Sequence, residues 1–379
     1  MLSTKAASIL DEHPVRLPGR IATSAEEVAG CRVGVYVIDI DGSCLIRLAG
    51  DGELFPDRFM APVAVGPEIA LENLPELQAI AGSKLTGSVV VPLTVRDRAI
   101  GILISEAAPH KDLSELAGQA ALALELASGY SDVVHAARRR KEIQPAAEIQ
   151  QNLLPPRLAH LDGADVACGV LPGYDVAGDF FDYADNPDGL WVCVADAMGK
   201  GNDAAALASL AVGALRAARR GGASLEQAAE IAHETMSATG EQVRFLTAIL
   251  GQWDPSTRVF RWVAAGHPPP LLLRPDGSVE ELFGAVTYPL GLFDAARTFE
   301  TAERRLEAGE RLLIYSDGMT ERKGSDDKPI GLEGLLPVLR AHCGASPARI
   351  VRALQDAVSE ASPQPLRDDA TMLLLAPHE

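Results

Sequence analysis

The sequence lacks the features of a disulfide-stabilised or membrane-spanning protein. Its five cysteines include no pair at C-x-x-C spacing, so neither a zinc site of that kind nor a disulfide framework is indicated. No apolar run approaches the roughly 18–20 residues needed to span a bilayer, and the N-terminus has no apolar signal-peptide core. We therefore expect a cytoplasmic protein without a membrane segment.

Basic residues are scarce relative to acidic ones. The 379 residues include 34 Lys and Arg against 52 Asp and Glu, which gives a formal net charge of −18. Such a surface repels phosphate backbones and anionic lipids, so we expect neither nucleic acid nor a membrane as a partner. A G-x-x-x-x-G-K-[ST] loop is also missing, and the MGKG run at 198–201 is only a fragment of one. The missing loop counts against a metal-dependent nucleotide hydrolase or cyclase, a class of enzyme that we keep as an alternative function for this chain.

The N-terminal third has the pattern of a small α+β domain. Residues 1 to about 30 are polar, and we predict no regular structure there. Two strands, a hairpin that turns at Arg96-Asp97 and an Ala/Leu-rich helix from about Asp112 follow. We place this domain at residues 1–128.

Residues 129–160 are predicted to form a helical linker. A loose heptad-like stripe indicates that the helix from Asp112 runs on to Pro145, with these positions: Leu116, Ala123, Leu126, Tyr130, Val133 and Ala137. The run AAEIQQNLLPP then predicts a short amphipathic helix that Pro155 and Pro156 end, so that the helical pattern extends to about residue 154. The run RRRK at 138–141 is a basic cluster in an acidic chain. A solvated helix face is its ordinary interpretation, and a contact for an acidic partner surface is the alternative.

Residues 161–379 alternate apolar strands with helices. Asn202-Asp203 caps one predicted helix, Ser224 and Gln227 form a capping box for a second that ends at Gly240, and Ser346-Pro347 begins a third. Because helices come consecutively between runs of strands, we expect a layered α+β domain rather than a doubly wound parallel sheet.

Two carboxylates face each other across a predicted hairpin. Asp179 lies in the run GDFFD, Asp196 ends an apolar run over 190–196, and NPDG at 186–189 is a strong turn signal between them. Paired about that turn, their side chains lie ~5 Å apart. Two carboxylates ~4 Å apart repel by about 4 kcal/mol at an effective dielectric of about 20, so a proton or a divalent cation is needed between them. Asp182 points to the opposite face by strand alternation, unless a β-bulge intervenes.

Two further acidic positions lie at strand ends. Asp317 follows the apolar strand 311–315, and Asp368-Asp369 precedes the strand 370–375. A single Asp beside glycine is usually a turn residue that hydrogen-bonds its own backbone. Together with Asp179 and Asp196, however, these residues indicate an oxygen-ligand metal site built at strand ends.

These motifs together resemble the metal-dependent serine/threonine protein phosphatases. The similar branch is that of bacterial stage II sporulation protein E and the stress-response phosphatases that activate alternative sigma factors. Eight short blocks occur in the family's order between residues 146 and 377: AAEIQQNLLP, GDFFD, VADAMGKGNDAAALA, FLTAILGQWD, AAGHPPPLL, YPLGL, YSDGMTER and RDDATMLLL. The resemblance implies an αββα sandwich for residues 161–379.

The resemblance also implies the site residues and the metals. Metal ligands with catalytic roles fall at Asp179, Asp196, Asp317 and Asp368, the backbone carbonyl of Ala197 is a further ligand, and Asp369 is a weaker candidate than Asp368. Two Mn²⁺ or Mg²⁺ ions ~3.5–4 Å apart are implied, which activate a water for attack on phosphorus. Ala197 stands where glycine is usual, and a carbonyl ligand survives that change if φ is negative.

Two other residues have open roles. His267 could protonate the leaving alkoxide, although a structural role in the turn before Pro268 is the interpretation we prefer. Lys200 stands where histidine is common in the family. It either assists phosphate binding or is simply solvated.

The N-terminal domain resembles a GAF sensory domain through VYVIDIDG, VPLTVRDRAIGILISE and DLSELAGQAALALELA. It lacks the asparagine-lysine-phenylalanine-aspartate-glutamate signature of cyclic-nucleotide-binding members, so its signal, a small molecule or a protein, is open. The family implies a phosphorylated STAS-type anti-sigma-factor antagonist as substrate, with gating through a homodimer along the linker helix. A catalytically silent signal-binding scaffold is the alternative.

Overall fold

The computed structural model describes residues 9–172, 175, 178–238, 244–292, 297–325 and 327–378. The chain divides into two compact units, Met1–Glu142 and Ile143–Glu379. Within the described ranges, no helix combines the length and the apolar character that crossing a membrane requires.

The N-terminal unit is a sheet with helices on both faces. Its strands are β1 (Val33–Ile38), β2 (Cys44–Ala49), β3 (Arg58–Met60), β4 (Ala64–Val65), β5 (Glu68–Ala70), β6 (Val89–Val95) and β7 (Arg98–Ser105). Their order is β3-β2-β1-β7-β5-β4, and β6 also pairs with β7. The helices are α1 (Leu17–Ala29), α2 (Leu74–Lys84), α3 (Ser114–Ser128) and α4 (Val133–Ala137).

Strand alternation divides the core of this unit in two. Val35 and Val37 of β1 lie in one cluster with residues of α1 and α3, and Tyr36 and Ile38 lie in another with residues of α2. Because both faces are covered, every residue of β1 is buried. The predicted hairpin is confirmed: β6 pairs with β7 about a turn in which Arg96 has φ 53°.

The prediction of an irregular start to about residue 30 is wrong for the described part. Helix α1 buries Leu17, Ile21, Ala25 and Ala29, one residue every turn, and Gly30 with φ 71° ends the helix. Four of the seven residues that α1 buries are alanine or serine, namely Ala22, Ser24, Ala25 and Ala29. A hydrophobicity pattern therefore shows this helix poorly, although four-residue spacing is what a helix needs to bury one face.

The predicted continuation of the Ala/Leu-rich helix to Pro145 is wrong, whereas the short helix predicted in AAEIQQNLLPP is confirmed. Helix α3 ends at Ser128, α4 is five residues long, and α5 (Pro145–Leu153) begins only after a break. Pro145 disfavours helical backbone at the preceding residue, and Gln144 has ψ 142°. The heptad-like stripe therefore shares no face, since Ala123 is buried whereas Tyr130 is 73% exposed.

The basic cluster lies in the break rather than on a solvated helix face. Arg140 pairs with the buried Asp39 and, through Nη2 at 2.8 Å, with Asp41. The backbone N–H of Ile40 donates to the carbonyl oxygen of Arg138 at 3.3 Å. The acidic surface that this cluster meets is thus the β1–β2 turn of its own unit.

The C-terminal unit contains two six-stranded sheets. The first has the order β10-β11-β12-β13-β16 with β17 beside β13, and the second β15-β14-β18-β19-β9-β8. The strands are β8 (Leu158–Leu161), β9 (Ala164–Leu171), β10 (Asp179–Asn186), β11 (Gly189–Ala197), β12 (Leu246–Asp254), β13 (Val259–Ala265), β14 (Leu271–Leu273), β15 (Val279–Glu281), β16 (Val286–Thr287), β17 (Ala302–Arg305), β18 (Arg311–Tyr315) and β19 (Ala370–Pro377).

Helices cover the outer faces of the two packed sheets. The remaining helices are α6 (Asn202–Arg220), α7 (Leu225–Ser237), α8 (Gly331–Ala341) and α9 (Pro347–Glu360). Phe181, Ile249 and Ile314 share the core between the sheets, α6 and α7 pack on the first sheet, and α9 packs on β9 and β19 of the second. The predicted αββα layers are confirmed.

The local helix signals were mostly right. Ser224 and Gln227 form the predicted capping box, and the Ser346 side chain caps α9. Helix α6 has no side-chain cap, because Asn202 is its first residue and Gly201 precedes it. The predicted end at Gly240 lies outside the described residues. Helix α8, with Pro337 inside it, was not predicted.

Candidate metal centre

Four strand ends meet at one edge of the sandwich. Strand β10 begins at Asp179 and pairs with β11 so that Asp179 lies opposite Asp196, the predicted register. Strand β18 ends two residues before Asp317, and β19 begins directly after Asp369. Because both pairs are antiparallel, the start of one strand and the end of its partner lie at the same edge of the sheet.

Hydrogen bonds join the two sheets at this edge. Ser316 Oγ donates to Asp179 Oδ2 at 2.5 Å and accepts from the Thr371 N–H at 2.9 Å. Asp369 Oδ2 accepts from the N–H groups of Gly178 at 3.0 Å and Asp179 at 3.3 Å. The start of β10 is therefore fixed against β18 and β19.

The buried end of the acidic cluster, which consists of Asp179, Asp196, Asp317, Asp368 and Asp369, holds protons unusually tightly. Burial, with the charges of Asp196 and Asp369, raises the pKa of Asp179 well above its ordinary value. Burial and the charge of Asp317 raise the pKa of Asp196 to about 7. Burial also raises the pKa of Asp369 to about 6, against the hydrogen bonds that it accepts. A bound cation would replace the protons that relieve this repulsion.

The cluster opens to solvent at its other end. Asp179 and Asp369 are buried, Asp196 is half-buried, and Asp317 and Asp368 are exposed. The pKa of Asp317 is nevertheless raised, by partial withdrawal from solvent and by the neighbouring charges of Glu321 and Asp368. A ligand can therefore approach from the side of Asp317 and Asp368.

The donor set fits hard divalent cations. Asp369 Oδ1 is buried without a hydrogen-bond partner. A Cβ atom at Gly178 would lie 3.0 Å from the Ala197 carbonyl oxygen and 3.6 Å from Asp196 Oδ1, so glycine keeps this space open. Ala197 ends β11 without a positive φ, which meets the condition set for a carbonyl ligand there. All the donors are oxygen atoms, as Mg²⁺ and Mn²⁺ prefer.

The acidic side chains line a space rather than form one tight set. Among the described residues, no three of these carboxylates have ligand atoms that all lie within 4.8 Å of one another. Ligands distributed around two ions have this wider spacing, since two-metal sites hold ions about 3.5–4 Å apart.

Three residues with uncertain roles are placed clearly. Lys200 Nζ lies 3.0 Å from Asp368 Oδ2 and donates to the Arg367 carbonyl at 2.5 Å, so it is ion-paired rather than merely solvated. Asp182 lies on the opposite face, as alternation predicted, but it is buried and ion-paired with two arginines of α6. His267 is buried, its Nδ1 is 2.8 Å from the Thr247 hydroxyl, and burial lowers its pKa to about 3.

The sequence reasoning missed the residues that hold the ligands in place. Gln150 Nε2 donates to the Asp179 carbonyl at 2.7 Å and to Asp369 Oδ2 at 2.8 Å. Ser316 and Thr371 connect the sheets in the same way. Each lies within or beside a motif block, but their partners are far away in sequence, so spacing alone could not reveal the contacts.

Comparison with known proteins places this geometry in a family. A profile described as stage II sporulation protein E (SpoIIE) matches residues 186–378. Phosphoserine phosphatase RsbU of Bacillus subtilis is 22% identical over 239 residues, 62% of this chain and 70% of the relative. Phosphoserine phosphatase RsbP of the same species is 24% identical over 192 residues, 49% of this chain and 47% of the relative.

Solved structures share the fold of the C-terminal unit. The RsbU and RsbW domains of Rv1364c from Mycobacterium tuberculosis align with a TM-score of 0.50 and 27% identity, covering 57% of this chain and 60% of that one. The SiaA-PP2C domain of Pseudomonas aeruginosa aligns with a TM-score of 0.52 and 21% identity, covering 61% and 94%. The second likeness concerns the fold alone.

Proposed function

The chain belongs to the stage II sporulation protein E family, and from this membership we propose that it is a metal-dependent phosphatase acting on phosphoserine or phosphothreonine of a regulatory protein. The observation that carries the proposal is the gathering of carboxylates at one edge of the sandwich, with raised pKa values in its interior. The relatives RsbU and RsbP, which are named phosphoserine phosphatases, support the reaction class.

The proposed ligands of two Mn²⁺ or Mg²⁺ ions are Asp179, Asp196, the carbonyl of Ala197, Asp317, Asp368 and Asp369. When bound, such ions supply a water of lowered pKa and neutralise charge on the phosphoryl oxygens. The carboxylates of Asp317 and Asp368, at the open end, face the incoming phosphate.

Residues around the ligands hold them in position. The hydrogen bond from Ser316 fixes Asp179 Oδ2, and Gln150 holds both the Asp179 backbone and the Asp369 carboxylate. Asp369 Oδ2 accepts three hydrogen bonds in all. Ligands oriented in this way need little rearrangement when the charge of the reacting phosphate changes.

A cavity of about 470 Å³ beside the open end of the cluster is the proposed place for the phosphorylated segment. It is lined by residues 321–325, 327 and 362–368, together with Gly318. The Arg322 guanidinium donates to four backbone carbonyls over 358–365, which stiffens one wall. Arg367 lines the same cavity and is exposed next to Asp368, so its guanidinium is the proposed contact for the phosphate or its flanking residues.

The proposed substrate is a phosphorylated STAS-type anti-sigma-factor antagonist. This rests on the family resemblance and on the similarity to RsbU, and also on a solved structure in which an RsbU domain and an RsbW domain occur together in one protein. The net charge of −18 repels an anionic partner from most of the surface, whereas the exposed Arg367 offers a phosphate an opposite charge beside the cluster.

The N-terminal unit is proposed to be a GAF-like sensory domain that gates the phosphatase. Because the predicted connecting helix is broken, we propose that segment 138–144, rather than one rigid helix, transmits the signal to the phosphatase. That segment is held to the β1–β2 turn by the contacts of Arg138 and Arg140 with Ile40, Asp39 and Asp41. A signal that moves this turn would release the segment.

The expected homodimer along the linker helix is proposed to form through α3 instead, because the predicted linker helix is broken. Leu122 is 47% exposed and Leu126 is 57% exposed on that helix, and Tyr130 just beyond it is 73% exposed. Light scattering of a Leu122→Lys/Leu126→Lys double variant tests this, because a dimer held by this face should become a monomer.

Mn²⁺-dependent hydrolysis of p-nitrophenyl phosphate and of a phosphorylated STAS protein tests the proposed activity. Wild type should be active and Asp196→Asn inactive, while Asp276→Asn, which changes an exposed turn residue, should match wild type. Unchanged turnover in Asp196→Asn contradicts the site. No turnover by any form, with the STAS protein still bound, favours the silent-scaffold alternative.

A further inference from the structure

A second group of potential metal ligands lies away from the acidic cluster. The ligand atoms of His160, Asp165 and His378 all lie within 4.8 Å of one another. His160 Nδ1 is 2.5 Å and His378 Nε2 is 3.1 Å from the same oxygen, Asp165 Oδ1. The two imidazole rings have centroids 4.7 Å apart.

The second sheet itself brings these side chains together. His160 of β8 lies directly opposite Asp165 of β9, and Asp165 lies opposite Ala376 of β19. His378 follows two residues later and therefore shares the face of Ala376. Its backbone N–H donates to the Gly163 carbonyl at 2.9 Å.

The backbone at His378 is anchored from a second direction. Arg258 Nη1 donates to the His378 carbonyl at 3.1 Å. The residue after β19 is thus fixed to the β8–β9 turn on one side and to the chain just before β13 on the other. This places the imidazole on the sheet rather than leaving it on a free segment.

The chemistry of this group differs from that of the acidic cluster. Two imidazole nitrogens and one carboxylate oxygen suit Zn²⁺ and its borderline neighbours, whereas an all-oxygen set suits Mg²⁺ and Mn²⁺. Ligands ~2.0–2.1 Å from a tetrahedral ion lie ~3.3 Å from one another, so small shifts from the present spacing would suffice. His160 is exposed and the other two are half-exposed, which leaves room for water as a further ligand.

The two groups lie at opposite ends of the same strand. Asp369 precedes β19 and His378 follows it, and nine residues of extended chain correspond to about 30 Å. A metal ion at His160 and His378 therefore belongs to neither the reaction nor the acidic ligand set.

We propose that His160, Asp165 and His378 form a Zn²⁺-type site that fastens the edge strand β8 to β9 and β19. Strand β8 is at the end of its sheet, and among the described strands β9 is its one pairing partner. An ion held by β8, β9 and the residue that follows β19 gives β8 a second attachment.

Zinc binding to the full-length protein tests this site. Metal-free protein is first saturated with Mg²⁺ to occupy the acidic cluster. The number of Zn²⁺ ions bound is then measured by calorimetric titration, and Tm is measured separately with and without Zn²⁺. Wild type should bind one Zn²⁺ more than His378→Gln and Asp165→Asn do, and Zn²⁺ should raise the Tm of wild type but not of these variants. Asp276→Asn is the matched control and should behave as wild type.

Cobalt provides an independent measurement. Co²⁺ added to wild type should give the visible absorption of a nitrogen-ligated ion, and His160→Ala should lose it. Asp196→Asn should keep it, so failure of the phosphatase proposal leaves this result unchanged. The proposal would be overturned if wild type had the same Zn²⁺ stoichiometry, Tm shift and Co²⁺ spectrum as His160→Ala, Asp165→Asn and His378→Gln.

Discussion

Replacing Asp196 by asparagine should stabilise the metal-free protein while abolishing its activity. The pKa of Asp196 is raised from 3.8 to about 7, by burial first and by Asp317 next. Between these values the folded state keeps a proton that the unfolded state has lost, so stability falls as pH rises from about 4 to 7. A shift of about three units at about 1.4 kcal/mol each sets a ceiling of about 4 kcal/mol. Because Asp317, Asp368 and Asp369 share this repulsion with Asp196, we expect Asp196→Asn to gain about 2 kcal/mol of unfolding free energy over wild type at pH 8.

Urea unfolding of metal-free protein measures this difference. The gain of Asp196→Asn over wild type should be largest at pH 8 and vanish near pH 4. Saturating Mn²⁺ should reverse the order, because wild type gains binding free energy that the variant loses.

Asp182→Asn is the matched control for this experiment. It makes the same chemical change, but Asp182 neutralises Arg216 and Arg219 at 2.7 and 3.0 Å. Removing a buried partner leaves cations uncompensated, so this variant should lose about 3 kcal/mol. If metal-free Asp196→Asn were also destabilised, the reasoning from crowded carboxylates would be refuted.

Four further substitutions have distinct expected outcomes. Burial lowers the pKa of His267 to about 3. The unfolding free energy of wild type should therefore fall by about 1.4 kcal/mol per pH unit as pH drops below 6.5, because the unfolded state takes up a proton that the folded state does not. In urea unfolding, the unfolding free energy of His267→Gln should fall less steeply over the same acidic range. Asp369→Ala should lose about 1–3 kcal/mol of unfolding free energy in the same assay, because three hydrogen-bond donors lose their acceptor. Asp368→Ala removes an exposed side chain and should change stability by less than about 0.5 kcal/mol. Both variants should have lower phosphatase activity than wild type. Arg367→Gln should raise KM for the phosphoprotein in steady-state kinetics without changing Tm.

Each of these expectations has a clear contrary result. An unchanged acid limb in His267→Gln would mean that this ring is protonated in the folded protein. Equal stabilities of Asp369→Ala and Asp368→Ala would contradict the argument that the buried Asp369 carboxylate stabilises the fold through the hydrogen bonds it accepts. An unchanged KM in Arg367→Gln would move the substrate contact away from this wall of the cavity.

Local chemistry predicted the centre of the site well. The NPDG turn fixes the register of β10 and β11, and this register alone brings Asp179 opposite Asp196. The same alternation put Asp182 on the face opposite to Asp179, although its two arginine partners, 34 and 37 residues away, could not be foreseen. Whatever a turn and a period of two residues determine was therefore accessible from the sequence.

Contacts between distant segments account for what the sequence did not reveal. The helical pattern after residue 112 was real, but Pro145 and the attachment of Arg140 to Asp39 and Asp41 interrupt it. Gln150 reaches Asp369 across 219 positions. These contacts depend on how the sheets and loops pack, which propensity and spacing do not encode.

The most direct test is diffraction from crystals grown with Mn²⁺, measured at the manganese absorption edge. Two anomalous peaks should appear among the proposed ligands, which are Asp179, Asp196, Asp317, Asp368, Asp369 and the Ala197 carbonyl. An empty acidic edge under saturating Mn²⁺, in protein with intact β10–β11 pairing, would contradict the metal centre and with it the proposed reaction.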